Sequence, residues 1–204
     1  MTTTVTSMTR WWPVAAAIVA CLIAHWIDRL PGDLAFARAV QSIAPGTGWA
    51  VTVTGTVAVP KLFVLMAISI ALCWWRGGLR AALVVGATLG LIWLIGEPIK
   101  SLVQRPRPTA DLVTVVGTPH GFGFPSTFGT MWGACWLPVV LYTWRRQTPL
   151  DTALAMAAAS ALLVGAAARV TLGAHWPSDL LGAYLIALAG WTLVDGAASA
   201  LRRR

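Results

Sequence analysis

The sequence predicts an all-α protein, a bundle of six membrane-spanning helices. Three observations carry this. Mean hydropathy is +0.73. Hydrophobic residues make up 57% of the 204 residues and charged residues only 11%, where a soluble domain carries about 25% charged residues. The apolar residues fall into six runs of near-bilayer length, separated by charge, Gly and Pro. High hydrophobicity with little charge excludes a disordered chain. The length fits one domain spanning residues 1–204.

The Thr-rich residues 1–10 are expected to form a mobile tail. The first run covers residues 11–27. Within it Ile18-Val19-Ala20-Cys21 loosely resembles a bacterial lipoprotein cleavage box, but the apolar run continues through Ile27, as a retained helix would. The second run, 58–75, is the least clean, because Lys61 near its start must snorkel or face protein. The Thr-, Val- and Gly-rich segment 47–59 either extends that helix or lies at the interface. The remaining runs are 81–99, 127–144, 153–172 and 177–194. At about 1.5 Å per residue, runs of roughly 17–20 residues span roughly 26–30 Å, the thickness of a hydrocarbon core.

The net charge is +8. The cations are scattered between apolar runs and form no basic helix face. Anionic headgroups and membrane orientation account for them better than nucleic acid does. Cys21, Cys73 and Cys135 each lie inside an apolar run without metal or redox spacing, so inert thiols are expected. Six spans put both termini on one side, together with Arg10, Arg76, Arg80, Arg145, Arg146 and Arg202 to Arg204. The other side holds Arg29, Arg38, Lys100, Arg105, Arg107 and Arg169. The positive-inside rule then places both termini in the cytoplasm; the 13 Arg against 2 Lys and the abundant Ala point to a GC-rich bacterial genome, and so to a bacterial inner membrane. Trp11, Trp12, Trp49, Trp74, Trp75, Trp144 and Trp176 lie near run ends, as an interfacial aromatic belt would.

Three polar segments fall on the outer face. The first is Lys100 to Pro108, with Arg105 and Arg107 each followed by proline. The second, Gly121-Phe-Gly-Phe-Pro125-Ser126-Thr127, opens the fourth run. The third runs from Arg169 through His175 to Asp179. Together they describe an anion site. Lys100 supplies a point charge, and Arg107 and Arg169 supply planar forks that match phosphate oxygens. Ser126 is placed to cap a helix whose free N–H groups attract phosphate. If Pro177 opens the sixth helix, Asp179 can reach the His175 imidazole, fix its tautomer and leave the other nitrogen free to attack phosphorus. The chain has no carboxylate cluster for a metal pair, which disfavours metal-assisted hydrolysis. Each residue also has a plainer reading, as a topology anchor, a structural histidine or a helix-dipole partner.

These residues resemble the type 2 phosphatidic acid phosphatase (PAP2) superfamily over roughly residues 50–195. Its motifs are K-x6-R-P, P-S-G-H and S-R-x5-H-x3-D. Lys100 to Arg107-Pro108 matches the first in full. Pro125-Ser126 matches the start of the second. Arg169, His175 and Asp179 match the third, with Ala168 in place of Ser. The resemblance implies a six-helix fold of the acid-phosphatase-like type without a cofactor. It further implies His175 as nucleophile with Asp179 as its partner, and a phosphate held by Lys100, Arg107, Ser126, Thr127 and Arg169. The implied substrate is a membrane lipid phosphate or a polyprenyl diphosphate, cleaved through phosphohistidine at the outer face.

The second motif departs from the family. Thr127-Phe128 stands where the family has Gly-His, and that histidine is the implied general acid. Phe128 cannot donate a proton, and losing such a group costs about 10²–10⁴-fold in rate. His120 lies eight residues upstream of Phe128 in a Gly-rich loop and could fold back. The sequence therefore supports a lipid phosphatase, with two alternatives: an impaired relative that binds, senses or transports a lipid phosphate, and a lipid phosphotransferase.

Overall fold

The computed structural model describes residues 9–202. Residues 1–8 of the expected tail, and Arg203 and Arg204, lie outside the described residues. Among the described residues the chain is all-α. After a short 3-10 turn at Thr9–Trp11 come α1 (Trp12–Trp26), α2 (Asp33–Ile43), α3 (Gly48–Gly55), α4 (Lys61–Val103), α5 (Thr127–Trp144), α6 (Pro149–Thr171) and α7 (Pro177–Leu201).

The second and third apolar runs are joined in α4, whose 43 residues are broken at Gly78. Gly78 has φ 73° and ψ −174°, a conformation open in practice only to glycine. The two arms double back on each other. Phe63 stacks on Trp93 with ring centroids 6.5 Å apart, and Ile70 lies beside Gly86. Both pairs are equidistant in sequence from Gly78, as an antiparallel hairpin requires.

By length and composition α4, α6 and α7 are each long and apolar enough to cross a membrane, and α1 is apolar but shorter. Large apolar side chains such as Leu22, Leu94, Leu163 and Leu181 point outward. A lipid solvent accepts such a surface at no cost, whereas water does not. α5 lies at the centre, against α4, α6 and α7. Its small residues allow the close approach. A Cβ on Gly129 or Gly133 would come within 2.9 Å of Ala183 or Tyr184 on α7. Across the other side, the Trp132 indole fills the space over Gly165 of α6 and donates to the Ala161 carbonyl at 2.8 Å.

Two elements lie outside the expected runs. α2 packs on α6 and α7, and α3 packs on α6 through Ala50 against Ala168, Leu172 and Ala174. The segment 47–59 thus forms its own short helix instead of extending α4. Trp176 is no member of an interfacial belt. It is buried among Val113, Val170 and Leu180, with the Arg29 guanidinium 5.6 Å from its ring.

The end holding the Gly78 hairpin is tied by ion pairs. Asp195 receives Arg10 at 2.8 Å and Arg80 at 2.7 Å. Asp151 receives Arg76 at 2.6 and 2.5 Å and the Thr148 hydroxyl at 2.5 Å. Arg10, expected at the end of a mobile tail, is therefore anchored to α7. The cysteines are free; Cys73 and Cys135 are buried and Cys21 is half-buried.

Candidate active site

The three polar segments meet at the opposite end of the bundle, each placed by a helix terminus. α4 stops after Val103, where Gln104 takes a left-handed conformation and Pro106 and Pro108 follow. Lys100 thus sits in its last turn. α5 begins at Thr127 behind Ser126, whose Oγ accepts from the Gly129 N–H at 3.1 Å. α6 ends at Thr171 and α7 begins at Pro177, and the link between them carries His175. Gly173 turns that link with φ 64°; a Cβ there would lie 2.1 Å from the Thr114 carbonyl oxygen.

His175 is buried, and its two ring nitrogens have unlike neighbours. Nδ1 lies 2.7 Å from the Gly123 carbonyl oxygen, which can only accept. Nε2 lies 3.1 Å from Arg107 Nη1, which can only donate. One neutral tautomer satisfies both: the proton on Nδ1 and the lone pair on Nε2. Burial is the main cause that pushes the His175 pKa down to about 4, with Arg169 and Arg107 lowering it further and Asp179 opposing. The ring is then neutral at pH 7 and Nε2 is free to act as a nucleophile. We expect an NMR titration of the free protein to show the His175 imidazole protonating near pH 4; a midpoint near 6.5 would contradict the burial argument.

Asp179 sits next to His175 but does not take the ring N–H. Its Oδ2 is 3.7 Å from Nδ1. As the third residue of α7 it turns back to cap the helix, with Oδ2 accepting the Trp176 N–H at 2.8 Å. Its Oδ1 accepts from Arg105 Nη1 at 2.6 Å. The expected tautomer control by Asp179 is thus exerted by the Gly123 carbonyl, and Asp179 acts through its charge and by fixing the start of α7. Gly123 must be glycine to stand so close: a Cβ would lie 2.9 Å from the Pro106 carbonyl oxygen and 3.2 Å from Asp179 Oδ2.

The expected phosphate ligands surround Nε2 unequally. Arg107 is held in place by three carbonyls, those of Ala174 (2.6 Å), Gly121 (3.0 Å) and His120 (3.1 Å). The His120 side chain itself is exposed. Arg169 lies over the Phe128 ring, 5.7 Å from its centroid, and its Nε is buried without a hydrogen-bond partner. Phe128 in turn stacks on Trp132 at 5.2 Å. Among the described residues neither Arg107 nor Arg169 pairs with a carboxylate, yet the two are close enough to repel each other. Two guanidiniums held together in this way form a site for an anion. Lys100 Nζ donates to Thr127 Oγ1 at 2.6 Å. The Ser126 side chain is fully buried as the helix cap, so the first turn of α5 offers backbone N–H groups and not the Ser126 hydroxyl.

Arg105, expected only as one outer cation among several, is the best-paired residue at this end. It is buried and bridges Asp179 to Asp33 of α2, with Nη2 3.2 Å from Asp33 Oδ2. It also donates to Ser178 Oγ and to the carbonyls of Ile27 and Asp28. Asp33 accepts from the Ser178 N–H and hydroxyl at 2.9 and 2.6 Å. Asp33, Arg105 and Ser178 escaped sequence reasoning because pairings across more than seventy residues leave no local pattern. The one available signal was Pro31-Gly32-Asp33, which reads as a turn into a helix start.

The chain is similar to known proteins in both sequence and fold. The sequence model of the PAP2 superfamily matches residues 81–199. Decaprenylphosphoryl-5-phosphoribose phosphatase of Mycobacterium tuberculosis, from strains CDC 1551 / Oshkosh and H37Rv, is 29% identical over 191 residues, covering 92% of each chain. The crystal structure of a transmembrane PAP2 type phosphatidylglycerolphosphate phosphatase from Bacillus subtilis shares the fold. It has a TM-score of 0.69 at 21% identity and is aligned over 92% of this chain and 96% of its own.

Proposed function

The chain belongs to the PAP2 superfamily, and on that premise we propose that it is an integral membrane phosphatase that cleaves a lipid phosphate or polyprenyl diphosphate through a phosphohistidine at His175. The observation that carries this reading is the His175 ring, with its proton held on Gly123 and its Nε2 lone pair facing Arg107. In the first step Nε2 attacks phosphorus, the P–N bond forms and the bond to the leaving oxygen breaks. The arriving phosphate draws Arg107 off the ring. Arg107, Arg169, Lys100 and the N-terminal turn of α5 at Ser126 and Thr127 then share the charge of the phosphoryl oxygens. The developing imidazolium is stabilised by the Gly123 carbonyl and the nearby Asp179 carboxylate. Water then attacks the phosphohistidine and releases phosphate.

The hairpin at Gly78 supports a six-span arrangement: α1, the two arms of α4, α5, α6 and α7. It puts both termini on one side and the site on the other. The arginine count favours cytoplasmic termini in the inner membrane and an outward-facing site. The mycobacterial relative, whose name describes a polyprenyl-linked phosphate, supports a polyprenyl substrate.

Phe128 sets the order of substrates. An alkoxide leaving from a monoester needs a proton, whereas a phosphate leaving from a diphosphate carries its charge well. Purified protein is therefore expected to release phosphate faster from a polyprenyl diphosphate than from phosphatidic acid; the reverse order in a direct assay would contradict this. Phe128→His is expected to raise turnover of phosphatidic acid by about 10–100-fold. Its loss of stacking on Trp132 lowers stability at the same time, by about 1 kcal/mol, read by thermal unfolding in detergent.

The seat of Phe128 beneath Arg169 favours one second reading. A residue that serves to hold a guanidinium suits a protein that binds, senses or transfers a lipid phosphate. Tight binding without phosphate release, or radiolabel passed to an acceptor lipid, would select that role.

A further inference from the structure

The cation-rich site contains one carboxylate that phosphate binding alone does not explain. Glu97 lies one turn before Lys100 on α4, with its side chain 66% exposed at the lip of the site. Its Oε1 accepts from Thr127 Oγ1 at 2.9 Å and lies 3.8 Å from Lys100 Nζ. Thr127 Oγ1 in turn accepts from Lys100 Nζ at 2.6 Å. Arg107, which touches Nε2 of His175, is also within the electrostatic reach of Glu97. A carboxylate here repels an incoming phosphate. It pairs with Lys100 at 3.8 Å, and among the described residues Arg107 and Arg169 have no carboxylate partner.

We propose that Glu97, acting through the Thr127 hydroxyl, supplies the proton that the leaving oxygen takes when a phosphate monoester is cleaved. The inference rests on the phosphatase reading above and deepens it. Phosphate and carboxylate repel each other, and a phosphate monoester arriving as its monoanion brings a proton that the two can share. The same proton is the one the leaving alkoxide requires. As the His175 Nε2–P bond forms and the P–O bond breaks, the leaving oxygen takes the Thr127 hydroxyl proton. The Glu97 carboxyl proton refills that hydroxyl, so that Glu97 ends as a carboxylate. In the second step water attacks phosphorus and its proton returns through Thr127 to Glu97. The P–N bond then breaks, neutral His175 is regenerated and phosphate departs. Lys100, hydrogen-bonded to the same hydroxyl, holds it in position. Phe128 supplies no proton, and a relay through the residue beside it replaces a direct donor only in part, so the substrate order given above still holds.

Leaving-group dependence tests the proposal, because a merely structural role does not produce it. Wild type, Glu97→Gln, Thr127→Val and His175→Ala are assayed in detergent for phosphate release from dioleoyl phosphatidic acid and from p-nitrophenyl phosphate, whose phenolate leaves without a proton. Glu97→Gln is expected to lower kcat on phosphatidic acid by about 10²-fold, and on p-nitrophenyl phosphate by less than about threefold; Thr127→Val, which also releases Lys100, is expected to lower both, phosphatidic acid about tenfold more. KM for phosphatidic acid should hold or fall in Glu97→Gln, since a like charge is removed. Equal losses on both substrates, or kcat on phosphatidic acid within about twofold of wild type, overturn the proposal and leave the phosphatase reading intact. Wild type with no His175-dependent release from either substrate, or from a polyprenyl diphosphate assayed beside them, overturns both.

Discussion

His175→Ala is expected to lower phosphate release by roughly 10⁴-fold or more on every substrate, because it removes the atom proposed to form the covalent bond. Nε2 is the side-chain lone pair that faces the Arg107 guanidinium, whose other partners are backbone carbonyls. The histidine side chain contributes little else to this end of the bundle, since its one further partner is the Gly123 carbonyl. Folding should survive, and the thermal transition in detergent should move by only a few degrees. Phosphate affinity should also persist, because Arg107, Arg169 and Lys100 remain. Residual turnover within about tenfold of wild type would exclude a phosphohistidine. Trapping of radiolabelled phosphate in acid-labile form on wild type, and its absence from His175→Ala, would identify the intermediate directly.

Arg105→Met is expected to have the largest effect on stability, about 3–5 kcal/mol, because it strands two buried carboxylates. Asp33 and Asp179 are both buried, and Arg105 is the cation between them. The pair also ties the α1–α2 link to the start of α7, so its loss frees the element that orients His175. Arg107→Met provides the contrast. Among the described residues Arg107 has no carboxylate partner, and it is half exposed, so that variant should unfold near the wild-type temperature while losing substrate affinity. The measurement is thermal unfolding of both variants in one detergent. Equal transitions for the two would mean that the division between a structural and a ligand-facing arginine is wrong. Arg105→Lys keeps the charge but lacks the fork that reaches Asp179, Asp33 and Ser178 together, so it should recover only part of the loss.

The two arginines show how far the sequence reached. Arg105 and Arg107 are both followed by proline in the same short loop, and composition cannot tell them apart. The match of Arg107-Pro108 to a spaced motif pointed to the phosphate ligand. Only the fold shows that Arg105 turns inward to two aspartates while Arg107 turns toward His175. Asp179 shows the same limit. Its spacing from His175 was legible and places the two side by side, but competition from the Trp176 N–H and from Arg105 for its oxygens was not. Glu97 lay inside an apolar run and became visible only when α4 and α5 brought it to Thr127.

The sequence by itself determined the all-α membrane character, the approximate extent of most helices and the three polar segments that meet at one end of the bundle. Hydropathy and spaced polar motifs are local properties, written in consecutive residues and read by the bilayer and by helix geometry. The tertiary structure alone decided which nitrogen of His175 carries the proton, which arginine is paired and which carboxylate lies against Thr127. Those outcomes depend on competition for hydrogen bonds among groups from α2, α4, α5 and α7. Such competition is settled by distances across the bundle, which no stretch of sequence records.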